Sequence, residues 1–251
     1  MARQKGLIKL EGAIGDLSFY KSGGEYYART KGGVDADRIK NDPAFVRTRE
    51  NGSEFGRAGK ASKLLRNALR QLMMHTADNR VSNRLTTQML KVIQADETNA
   101  RGERIVSDGN PALLKGFEFN AGAQLAGTIY VPFATAVDRA TGALEVSLPA
   151  LVPTTDLAMV QDATHLRFGA LGAAVDFEGE AFSTKMAVSD FVEIDSVEHE
   201  AQSLEVQIDA ASPSPIFLAF SIEFFQMVNG EAYPLKSGAL NAMAIVAVDL
   251  P

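Results

Sequence analysis

Ile216-Phe217-Leu218-Ala219-Phe220 is an unbroken apolar run, and the stretch continues through Ser221 to Met227 without a turn signal. Such a run, too rich in Phe and Ile for a loop, reads as a central, buried strand. Ala242-Met243-Ala244-Ile245-Val246 reads the same way. Working outward from these two, strands are expected over Gly116–Asn120, Gly127–Phe133, Ala143–Leu148, Thr164–Phe177, Phe182–Val188, Ser203–Ile208, Ile216–Met227 and Ala239–Val248. Asp138-Arg139-Ala140-Thr141-Gly142 and Val228-Asn229-Gly230-Glu231 carry the residues of tight turns. Strands at this spacing, with little helix between them, predict an antiparallel, Ig-like β-sandwich for residues 106–251.

The first 105 residues read differently. Leu7-Ile8-Lys9-Leu10 is expected as a short strand. Asp16–Lys21 alternates, placing Leu17 and Phe19 on one face, and Tyr26–Thr30 returns as its partner across Ser22-Gly23-Gly24-Glu25. Asn41-Asp42-Pro43 is a helix start: Asp42 can accept from free amides and Pro43 suits the first helical position. From Ala44 to about His75 the apolar spacing is helical, with Ala58, Ala61, Leu64, Leu65, Ala68, Leu69, Leu72 and Met73 on one face. Gly52, Gly56 and Gly59 each cost about 1 kcal/mol against Ala. They mark either a break, with Ser53 capping a second helix, or the close approach of another backbone. A further helix over Val81–Ala95 packs back as a hairpin, and the polar, Gly-containing stretch Thr98–Pro111 is the expected boundary. The fold class is therefore α+β, a β-hairpin and helical hairpin followed by the sandwich.

Charge divides along the same line. Residues 1–91 carry 18 Lys+Arg against 9 Asp+Glu, a net of +9, whereas residues 92–251 carry 7 against 22, a net of −15. The basic side chains fall on one helix side, Arg57, Lys60, Lys63, Arg66 and Arg70, with Lys21, Arg29 and Lys31 in and after the hairpin. These are candidates for a polyanion-binding or interface surface, with Tyr20, Tyr26 and Tyr27 available for stacking. The acidic candidates are Asp176, Glu178 and Glu180, expected on one strand face, with Glu193 and Asp195 nearby. They read first as a solvated sheet face, then as a docking surface for a basic neighbour, and last as a metal site.

Chemistry is sparse. There is no Cys, so disulfides and thiol nucleophiles are excluded. His75, His165 and His199 have no metal-ligand spacing. Gly169-Ala170-Leu171-Gly172 sits in a β-rich stretch, not at a strand-to-helix turn, and no phosphate-loop or nucleophile-elbow motif occurs. The expectation is a protein without catalytic residues, metal, cofactor or small-molecule substrate. The stretch from Met1 to Glu11 lacks the apolar run of a secretory signal and no segment has the length of a membrane span, which points to the cytoplasm and to no membrane insertion, with an extracellular or particle assembly as the other address.

Gly12-x-Ile14-Gly15-Asp16-x-x-Phe19-Tyr20, followed by Tyr27-x-Arg29, Asn41-Asp42-Pro43-x-Phe45-x-Arg47-x-Arg49-Glu50-Asn51 and Phe55-Gly56-Arg57, resembles a group of uncharacterised Bacteroidota proteins, a domain-of-unknown-function family with an Ig-like second half. The resemblance covers the first hundred residues. It implies the two-part architecture and a bacterial or phage-like origin, and carries no activity with it. Two functions remain as expectations. The first is a structural protein that self-assembles head to tail, as filament, appendage or phage-like particle, its basic half docking on the acidic half of the next copy. The second is a nucleic-acid-associated protein using the same basic region.

Overall fold

The computed structural model describes residues 2–30, 32–235 and 241–251; Lys31 and residues 239–240 of the last expected strand lie outside them. The fold is α+β, with all sheets antiparallel. By contacts the chain divides into two compact units, Met1–Arg49 and Glu50–Pro251.

The first unit contains β1 (Ala2–Arg3), β2 (Gly12–Ile14), β3 (Leu17–Ser22) and β4 (Glu25–Thr30) in one sheet of order β1-β4-β3-β2. The β3–β4 hairpin turns on Gly23 and Gly24, both at positive φ. Leu7-Ile8-Lys9-Leu10 is not a strand. It forms a loop whose ends are fastened by Gln4, which receives the Leu10 amide at 2.9 Å and donates to the Tyr27 carbonyl at 3.1 Å. Helix α1 (Ala36–Asn41) follows, capped by Asp35. Asp42 then accepts from the Ala44 amide and starts a 3₁₀ turn over Pro43–Phe45, as the Asn-Asp-Pro signal predicts. This amide and Arg38 hold the Asp42 carboxyl below its ordinary range. Among the described residues of this unit none is buried.

Helix α2 (Val46–Ala68) runs unbroken through Gly52, Gly56 and Gly59. A Cβ at any of the three would meet nothing within 4 Å, so they mark neither a break nor a close backbone approach. The bend comes later, at Leu69, before α3 (Arg70–Thr76). Helix α4 (Val81–Gln94) matches its expected span. The loop after it is held by Asp96, which is buried and accepts from the amides of Thr98, Asn99 and Ile105 and from the Asn99 side chain, at 2.8 to 3.0 Å. Val106 lies inside the second unit, in the same core as the helices, so the stretch expected as a boundary is packed into the body.

The rest of the second unit comprises α5 (Leu125–Thr128), β5 (Ala134–Asp138), β6 (Ala143–Leu148), α6 (Pro153–Asp156), β7 (His165–Asp176), β8 (Ala181–Val188), β9 (Val192–Glu193), β10 (Gln202–Gln207), β11 (Ile216–Val228), β12 (Glu231–Pro234) and β13 (Ala242–Asp249). The large sheet runs β12-β11-β7-β8, with β13 beside the first half of β11 and β9 beside the start of β7. The small sheet runs β10-β6-β5. Two expected strands fail. Residues 116–120 run beside β13, with the Phe119 amide donating to the Met243 carbonyl, yet make only one isolated bridge. Residues 127–133 give way to α5, and the strand begins only after Pro132, which has no amide to offer a ladder.

The large sheet is covered on both faces. Leu166, Phe168, Ala170, Leu218, Phe220 and Ile222 share a core with Leu144, Val146, Leu204 and Val206 of the small sheet. Leu171, Ala173, Val175, Phe217, Ala219 and Ile245 share another with Leu65, Leu69, Leu72, Leu85 and Met89 of the helices. The second unit is thus three layers: helices, large sheet, small sheet. This is why β7 and β11 show no polar alternation. Gly169 and Gly172 of β7 face opposite layers. A Cβ on Gly169 would stand 2.8 Å from the Leu72 side chain, and one on Gly172 3.2 Å from Leu144, Val206 and Ile208. These glycines let the layers close.

Candidate functional site: a cleft of mixed charge beside the helices

The basic row and part of the acidic group meet in one place. A cleft of about 590 Å³ in the second unit is lined on one side by Arg57, Lys60 and Lys63 of α2 and on the other by Glu178 and Glu180, over a floor that includes Leu64, Phe177 and Phe182. The expected strand face of acids does not form. Asp176 ends β7, and residues 177–180 are the hairpin turn into β8, with Glu180 at φ +50°. Asp176 is spent within the turn, accepting from the amides of Glu178 and Gly179. Glu178 and Glu180 are left exposed at its tip.

The five helix cations are not equivalent. Arg57 is a structural residue, donating to the carbonyls of Gly102 at 2.7 Å and Arg104 at 3.1 Å. Beside it, buried Glu54 accepts from the Gly102 amide, so the loop is gripped by two successive turns of α2. Lys60 and Lys63 are exposed and form no ion pair among the described residues. Arg66 and Arg70 line a smaller hollow of about 280 Å³ with Asn67, Met73 and Met74. Glu193 and Asp195 lie elsewhere: Glu193 stands opposite His165 in β9, and Asp195 accepts from the Val197 amide and pairs with His199 at 3.1 Å.

In the first unit, Lys21 and Arg29 are also spoken for. Lys21 sits 5.4 Å from the centre of the Tyr26 ring, and Arg29 sits 5.4 Å from that of Tyr20, which stacks on Tyr27. These rings meet the chain's own cations. The register divides the sheet into two faces. Tyr20, Tyr27, Arg29, Arg3 and Glu25 share one, with an Arg3–Glu25 ion pair. Ile14, Leu17, Phe19 and Ala28 share the other with Thr30, Lys21 and Tyr26, and Ile14 and Leu17 are exposed at its apolar end.

Beside the cleft, β8 pairs with β7 alone among the described residues, and Phe182, Met186 and Val188 are exposed along it. Sequence reasoning missed this edge, and missed that Lys60 and Lys63 face Glu178 and Glu180. The signal was the alternation of Phe182, Thr184, Met186 and Val188 with smaller or charged residues, the pattern of a strand with an open side. Among the described residues no three His, Asp or Glu side chains converge as metal ligands, and no helix is long and apolar enough to cross a membrane. No family model, curated protein or solved structure matches the chain.

Proposed function

We propose that the chain is a non-enzymatic structural protein that self-assembles, with the first unit of each copy acting as a docking arm for another copy. One observation carries the reading: the four-stranded sheet of the first unit contains no fully buried side chain and exposes Ile14 and Leu17, while the loop between β1 and β2 exposes Leu7 and Ile8. A sheet of this size needs an apolar face covered to be stable in its own right. Several large apolar side chains exposed on one small unit support an interaction face.

Charge supports a second copy as the cover. Residues 1–49 carry 10 Lys+Arg against 6 Asp+Glu, a net of +4, and residues 50–251 carry 15 against 25, a net of −10. The first unit of one copy is therefore attracted by the second unit of the next, a head-to-tail contact that closes into a ring or grows as a filament. Sedimentation velocity and negative-stain microscopy of the purified full-length chain test this. Ordered polymers are expected, lost in an Ile14→Asp/Leu17→Asp variant whose second unit stays folded by circular dichroism. A wild-type chain that stays monomeric at all concentrations contradicts the reading.

A further inference from the structure

We infer that the Leu7–Ile8 loop tip of one copy seats in the mixed-charge cleft of a second copy, between Leu64 and Phe182. This rests on the self-assembly reading and names the two surfaces that meet. Leu7 is 104% exposed and Ile8 81%, the two most exposed large apolar side chains described. They are not on a free tail. The Gln4 amide donates to the Tyr26 carbonyl at 2.8 Å, the Gln4 side chain holds Leu10, and the Lys9 ammonium donates to the Gln4 carbonyl. These bonds give the loop a defined knob shape, which docking on a second copy would stabilise.

The cleft suits it in size and in chemistry. Its volume of about 590 Å³ is ample for two aliphatic side chains. Its floor residue Phe182 is 43% exposed, so apolar surface waits to be covered. The flanks of the knob carry both signs, Lys5 and Lys9 on either side and Glu11 beyond, with Lys9 donating to the Gln4 carbonyl. The lining of the cleft carries both signs too, Glu178 and Glu180 with Arg57, Lys60 and Lys63, the two lysines forming no ion pair among the described residues. A partner of one charge would meet repulsion from one wall, whereas this loop offers a counterpart to each. Since every copy owns one knob and one cleft, the contact is heterologous and propagates.

The absence of Cys makes the test direct. Ile8→Cys and Phe182→Cys are placed in separate full-length chains, mixed and oxidised. A covalent heterodimer is expected, with none when Phe182→Cys is replaced by Tyr233→Cys, an exposed position on β12. The doubly substituted chain should give a ladder of linked multimers; a linked monomer instead overturns the inference. Leu7→Asp/Ile8→Asp should weaken association at least tenfold by sedimentation, and because both side chains lie in solvent it leaves the fold intact. Undiminished polymers of that variant overturn the knob while leaving self-assembly standing. A wild-type chain with no association overturns the underlying reading as well. A foreign peptide that fills the cleft of the polymerised protein without dissolving it also overturns the inference.

Discussion

The two units of this chain are both built on antiparallel sheets, and only one of them has an inside. In the second unit β7 and β11 are covered by helices on one face and by the small sheet on the other, and Phe168, Phe217 and Phe220 are fully buried. In the first unit four strands pair in good register and bury no side chain more than partly. Hydrogen bonding alone contributes little net stability, because water competes for the same groups. The difference therefore teaches that the first sheet is shaped by its ladder and turns and must be stabilised by what covers it.

The comparison breaks or sharpens under substitution, the largest effect coming from the three-layer unit. Phe220→Ala removes a ring that packs 5.1 Å from Phe133 and 5.9 Å from Phe168, and should cost about 3–5 kcal/mol in urea unfolding. Gly169→Val pushes a side chain into Leu72 and should cost about 1–3 kcal/mol by overpacking, with Gly172→Val similar against the small sheet.

Asp96→Asn comes next, at about 1–3 kcal/mol, because a buried carboxylate with four donors loses acceptors. Burial opposes ionisation of Asp96, but the donors from Asn99, Ile105 and Thr98 outweigh it and hold the carboxyl far below its ordinary range. The sign follows. A depressed folded value contributes stability that is present above the unfolded value of about 3.9 and is lost as pH falls below it. Wild-type stability should therefore decline more steeply below about pH 4 than that of Asp96→Asn, measured by urea midpoints between pH 2.5 and 7. Parallel profiles would remove Asp96 as the clasp of the loop.

Smaller effects sharpen the comparison. Gly56→Ala should raise stability by about 0.5–1 kcal/mol, since a Cβ there meets nothing and helix propensity improves. If the same change weakens assembly, the glycine side of α2 belongs to the interface. Leu17→Ala in dilute protein should change stability by less than about 0.5 kcal/mol, because Leu17 is already 42% exposed. A cost equal to that of Phe220→Ala would abolish the distinction between the two units.

Much of this was legible in the sequence, for physical reasons that differ by element. Ala143–Leu148 followed from its alternation, with one face buried, and β11 from its continuous run of Phe, Ile and Leu ending at the Asn229-Gly230 turn. The helix over Val81–Gln94 followed from its single apolar stripe. What the stripe could not say is which surface it covers. The helices were read as a hairpin grouped with the N-terminal β-hairpin, whereas Leu65, Leu69 and Leu85 share a core with the large sheet. The loop around residue 105 looked like a boundary because it is polar. Its polarity is instead the means by which Glu54, Arg57 and Asp96 fasten it. Leu7–Leu10 read as a strand because its residues favour extended backbone, yet no strand among the described residues pairs with it and Gln4 folds it into a loop. The acids at 176, 178 and 180 were aligned by strand periodicity, and the turn that begins at Phe177 dispersed them. The cleft itself was out of reach, because Lys60 and Glu180 are far apart in sequence and line one cleft only in the folded second unit.

The most direct test is hydrogen exchange of the full-length chain across a concentration series. Amides of β7 and β11 should be protected at every concentration, and those of residues 2–30 should exchange fast in dilute monomer and become protected as polymers form. Equal, strong protection of residues 2–30 in the dilute monomer would contradict the claim that the first sheet is completed by another copy.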